Sequence, residues 1–287
     1  MKSGNHSASA WAPRAGASLL FLCLGSLIIL VFSPWRPLIQ NRIFDYLGRI
    51  VLVAGLFGLM VLVSRGARVE KYRQLLAGLF IMAVAVSLDW VFGNFLQRTA
   101  GVSDVAPSGW AMIKLNEGFI IISTILVLNR LTGGSLGSIY IQRGNLKLGL
   151  TIGIVTFLLA AAGSIPMASL FQARDISLPR IVPWIPWLLI YVLVNAALEE
   201  LMFRGLFLRK LEPFLGKFFS NLATAFVFTG LHGTVTYSAD NLIFVAVTFP
   251  LALAWGHIMQ KTDSIWGSIV FHAGMDIPIM LGIFSNL

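Results

Sequence analysis

The chain of 287 residues reads as all-α: a polytopic transmembrane helix bundle of eight to nine spans. Three observations predict this. Its residues are 57% hydrophobic and only 11% charged, with a mean hydropathy of +0.84, whereas soluble domains carry about 25% charged residues. About nine apolar runs are long enough to cross a bilayer. The basic residues gather in the short segments between those runs, where topology signals and contacts with anionic lipids belong.

In order, the runs fall near 17–34, 47–64, 75–93, 109–129, 148–171, 183–207, 218–236, 241–259 and 264–284. No A-x-A cleavage pattern follows the first, so it reads as a retained helix rather than a signal peptide. The sixth reads as continuing to about Phe214, with Gly216 as its terminator. Residues 1–147 form a set of N-terminal helices with no recognisable motif, and 148–287 a core that carries the chemistry.

Orientation follows from Lys and Arg. With the N-terminus inside, 13 of the 21 (Lys2, Arg14, Arg65, Arg68, Lys71, Arg73, Arg130, Arg143, Lys147, Arg209, Lys210, Lys217, Lys261) lie on the cytoplasmic side. Six (Arg36, Arg42, Arg49, Arg98, Arg174, Arg180) lie outside, and Lys114 and Arg204 lie within spans. Trp35, Trp90, Trp110, Trp184 and Trp187 then form an outer aromatic belt. The expectation is a multi-pass protein of a prokaryotic plasma membrane, N-terminus cytoplasmic, in contact with lipid. Despite the net charge of +9, nothing points to nucleic acid. Cys23 is the one cysteine, which rules out an internal disulfide and a cysteine-rich metal site. The string Gly133-Gly134-Ser135-Leu136-Gly137 matches G-x-S-x-G but lies in a polar loop, so it reads as chance. There is no H-E-x-x-H and no Walker or Rossmann glycine pattern.

Against this apolar background Glu199-Glu200-Leu201-Met202-Phe203-Arg204 stands out. One charged side chain at the centre of a membrane helix costs roughly 2.5–3.5 kcal/mol on insertion scales. Glu199 is 16 residues before a turn near Leu215 and His232 is 17 after it. At 1.5 Å per residue both lie roughly 24–26 Å from that turn, and in an antiparallel pair they meet at one level. His272 and Asp276 reach a comparable depth on the last helix. Glu200 and Arg204 are spaced i,i+4 in the favourable order for an ion pair, which leaves Glu199 to meet His232. Asn195 is one turn before Glu199, and Phe228 shares a face with His232. A carboxylate and an imidazole around one water make a general base, and His272 with its neighbour a turn later can donate to an oxyanion.

Structural readings stand beside these. Glu199 can be a protonated acid hydrogen-bonded to Asn195 or to a backbone carbonyl, and Asp276 can fix the tautomer of His272. His257 reads as interfacial, Lys114 and Glu117 as a snorkelling pair, and Asp89-Trp90 as lying at the outer interface.

Together, Glu199-Glu200-x-x-x-Arg204, Phe228-x-x-x-His232 and His272-x-x-x-Asp276 resemble the three signature motifs of the CPBP (CAAX protease and bacteriocin-processing, or Abi) family. It includes the Ras-converting type of CAAX prenyl endopeptidase. The resemblance covers about Ile190 to Met280. It implies an intramembrane glutamate protease acting on a membrane-bound protein or peptide, CAAX-type and prenylated in the family's best-known members. Catalysis would fall to Glu199, His232, His272 and Asp276, with support from Glu200, Arg204, Asn195 and Phe228. No cofactor or metal is implied. Where the prenyl enzymes have asparagine, this chain has Asp276. The alternatives are a zinc-dependent membrane protease and a non-catalytic scaffold or immunity-type protein of the same fold.

Overall fold

The computed structural model describes residues 8–35, 37–67, 69–233 and 241–287. Lys2, Arg36 and Arg68 of the charge count lie outside the described residues. Among those described, every regular element is helical, and nine helices are long and apolar enough to span a membrane. They are α1 (Trp11–Val31), α2 (Arg42–Ser64), α3 (Glu70–Thr99), α4 (Pro107–Leu131), α5 (Leu146–Phe171), α6 (Leu178–Gly205), α7 (Leu208–His232), α8 (Asn241–Thr262) and α9 (Trp266–Ser285). This is an integral membrane protein.

Local chemistry sets the starts of several spans. Asn41 caps α2, its Oδ1 accepting from the backbone N–H groups of Ile43 and Phe44 at 3.0 and 3.2 Å. Asn145 caps α5 through Leu148 N–H at 3.1 Å. Pro107 opens α4, where its missing N–H costs nothing.

Boundaries differ from the apolar runs where the backbone changes helix type. α3 turns at Gly93-Asn94 and resumes to Thr99. α6 starts early, through Leu178–Ile181 and a 3-10 turn at Val182–Trp184, and ends in a π-helical turn over Glu200–Gly205. Such π turns insert one residue into the ladder and re-aim the side chains around it. The expected continuation to Phe214 is a separate piece of helix beginning at Leu208. Gly216 ends it, at φ 74°, a left-handed conformation open to glycine and costly for other residues.

A large apolar core draws on residues from Ala17 to Ile265, including Leu79, Ile121, Phe203 and Phe228. A second cluster joins α6 to α9 through Val192, Ala196, Ala273 and Ile277. α5 and α9 approach most closely. A Cβ added at Gly267 would lie 2.5 Å from the carbonyl oxygen of Gly149, and one at Gly153 would lie 2.7 Å from that of Gly267. Gly149-x-x-x-Gly153 is thus a small-residue helix contact of the kind membrane bundles use in place of hydrophobic driving force. It holds α9, and with it His272 and Asp276, against the bundle.

Candidate active site

Four helices build the site. Asn195, Glu199, Glu200 and Arg204 come from α6, Phe228 and His232 from the end of α7, Trp255 from α8, and His272 and Asp276 from α9. The π turn begins at Glu200, so the two glutamates straddle a change of helical twist.

Arg204 and Glu200 are both fully buried and paired, Nη1 to Oε1 at 2.8 Å. The guanidinium also lies over the rings of Phe228 (4.2 Å) and Trp255 (5.3 Å) and donates to the carbonyl of Ala252. This is the ion pair that the i,i+4 spacing suggests. Glu200 does more than pair, however. Its Oε1 also lies 2.8 Å from Nδ1 of His272, which fixes the ring from the side opposite to Asp276. The His272 ring stacks on Trp255 with centroids 3.9 Å apart and planes 11° from parallel.

That leaves His272 Nε2 facing two further carboxylates, 3.6 Å from Glu199 Oε2 and 3.6 Å from Asp276 Oδ1. Asp276 Oδ2 accepts from the Asn195 amide at 2.9 Å. Two of the structural readings are corrected here. Asn195 serves Asp276 and not Glu199, and Glu200 rather than Asp276 makes the hydrogen bond that orients His272. On α7, His232 Nδ1 lies 2.9 Å from the carbonyl of Phe228, and the two rings are in contact at 4.3 Å. A donating Nδ1–H there leaves Nε2 as an acceptor. Glu199 Oε2 is buried and has no hydrogen-bond partner among the described residues.

Glu199, His232, Asn195 and Asp276 line one cavity of about 510 Å³. Residues 181–278, which contain every one of these groups, match the family of Type II CAAX prenyl endopeptidase Rce1-like proteins. Over that segment, about a third of its length, the chain is similar to the CAAX proteases. No curated protein and no solved structure matches it.

The matched segment does not enclose the cavity alone. Trp35, Lys114 and Glu117, from α4 and the segment after α1, complete the wall. Lys114 Nζ and Glu117 Oε2 lie 2.5 Å apart, both side chains buried, with the ammonium over the rings of Trp35 and Tyr191. The snorkelling reading is therefore corrected: the pair faces inward. Asp89 is likewise buried, and shares a second cavity of about 470 Å³ with Glu117. Sequence reasoning passed over Trp255 entirely, because an aromatic residue in an apolar helix carries no signal of its own. An i,i+3 ion pair inside a span was the available signal for Lys114 and Glu117. His257 is exposed, in keeping with an interfacial residue.

Proposed function

We propose that this protein is a CAAX protease-like intramembrane endopeptidase that hydrolyses a peptide bond of a membrane-associated protein or peptide with a water held between Glu199 and His232. The observation that carries the reading is the shared cavity: a buried carboxylate oxygen without a hydrogen-bond partner and an imidazole oriented through its other nitrogen line the same space.

In this mechanism His232 donates Nδ1–H to Phe228 and accepts one water hydrogen at Nε2. Glu199 takes the other proton as the water oxygen adds to the scissile carbonyl carbon. His272, with Nδ1–H on Glu200, presents Nε2–H to the oxyanion. Asp276, an acceptor from Asn195, balances the charge of that imidazolium rather than donating to the oxyanion. Collapse breaks the C–N bond, and the proton on Glu199 passes to the leaving amine. The mechanism is proposed without a metal ion.

General-base removal costs about 10²–10⁴-fold in rate. Glu199→Gln and His232→Ala are each expected to lose cleavage by that factor while inserting and melting like wild type. Chelator-washed wild-type protein is expected to keep its turnover. Comparative proteomics of membranes holding wild type or Glu199→Gln supplies the substrate and its cleaved bond. Wild-type-like turnover by either variant overturns the reading. Asp276, where the prenyl enzymes have asparagine, favours a second reading, a non-catalytic scaffold, for which Asp276→Asn would be silent.

A further inference from the structure

At the opposite end of the bundle from the candidate active site lies a larger cavity, about 940 Å³, at the base of α1, α3 and α7. Arg14, Lys71, Arg209 and Lys210 line it, with no Asp or Glu among the lining residues. Arg14 and Lys71 are exposed at its rim. Arg209 pairs with Asp263 through Nη2, but its Nε has no hydrogen-bond partner. Lys210 is 7% exposed, and its Nζ has no partner among the described residues. Gly78 gives its stem room to pass, since a Cβ there would meet Lys210 Cδ at 3.4 Å and the Phe207 ring at 3.0 Å.

An enclosed ammonium with no counter-charge costs several kcal/mol. Three further basic side chains line the same cavity, and Asp263 pairs with Arg209 alone, so an anion would complete the set. The Gly133-Gly134-Ser135 loop also lines the cavity, and the Ser135 hydroxyl is a further group able to donate to an anion. The position matters too, because the cavity sits where the spans end, the level at which lipid headgroups are expected.

We propose that this cavity binds a phosphate-bearing anion, with Lys210 as its inner ligand and Arg14, Lys71 and Arg209 as its rim. The chemistry suits an anionic phospholipid headgroup and a free phosphate alike, and the proposal is independent of the protease reading.

The test uses the purified full-length chain. One arm follows thermal unfolding of delipidated protein in detergent against inorganic phosphate. The other reconstitutes it in phosphatidylcholine vesicles with or without phosphatidylglycerol, re-extracts it, and reads retained lipid by native mass spectrometry. The expected result is retention of phosphatidylglycerol by wild type, reduced about fivefold or more in Lys210→Met. Arg14→Gln/Lys71→Gln alters exposed positions alone and is expected to reduce it as well, whereas Lys261→Met, exposed and outside the cavity, retains it. Stabilisation by inorganic phosphate that is lost in Lys210→Met supports the same site with a soluble ligand. Binding of neither probe by wild type, or unchanged binding by both cavity variants, overturns the proposal.

Discussion

Arg204 is the side chain on which most of the site's geometry rests. It neutralises Glu200, and Glu200 in turn holds His272. Replacing it with methionine leaves a carboxylate with no guanidinium beside it in a dry interior, a change that costs about 3–5 kcal/mol in buried pairs. Arg204→Met is therefore expected to melt well below wild type in detergent, and Glu200→Gln/Arg204→Met to recover most of that loss without recovering activity. A double variant as unstable as the single one would mean that the guanidinium acts through its ring contacts and not its charge. The pair itself was legible from the i,i+4 spacing on one helix. Its extension to His272 was not, because the rotation of α6 against α9 is set by packing. The same holds for Asn195, which the sequence placed one turn from Glu199 and the fold turned towards Asp276.

Hydrophobic length made the nine spans readable, since a bilayer imposes a minimum run whatever the residues within it. The breaks were harder to see. Nothing in Glu200–Gly205 announces a π turn, and the break in α3 comes at Asn94, which leaves helical angles at φ −107° and ψ 13°. Close helix contacts are a third feature that composition hides. Valine at Gly267 would need space now filled by the backbone of Gly149, so α9 must move away from α5. A displacement of about 1 Å in reacting groups costs up to about 10²-fold in rate. Gly267→Val is expected to lose one to two orders of magnitude in turnover and to melt lower. Gly55→Ala, with nothing within 4 Å of the new Cβ, is expected to be neutral or slightly stabilising. Equal activity in the two variants would show that the α5–α9 contact does not position His272.

Over the whole molecule, charge and cavity are arranged end against end. The sequence count assigns 13 basic residues to the side where Lys210 lines its cavity and six to the other side, where the active-site cavity reaches Ser33, Trp35, Asn94 and Asp104. Positively charged loops stay on the cytoplasmic side, so this asymmetry predicts that the mouth of the active-site cavity faces away from the cytoplasm. Both halves of the chain take part, because residues from Ser33 to Glu117 wall a cavity whose remaining lining runs from Tyr191 to Ile283. Labelling tests the orientation directly. In a Cys23→Ser background, Ser103→Cys marks the cavity end and Ala67→Cys the basic end, both at exposed positions. A membrane-impermeant maleimide is expected to label Ser103→Cys in intact cells and Ala67→Cys only after permeabilisation. Substrates would then be presented from the non-cytoplasmic face, as exported or membrane-anchored chains are, and prenylated cytoplasmic proteins would have no route to Glu199. The reverse labelling pattern would place the mouth on the cytoplasmic side, reopen that route, and require that some force other than loop charge inserted the first helix.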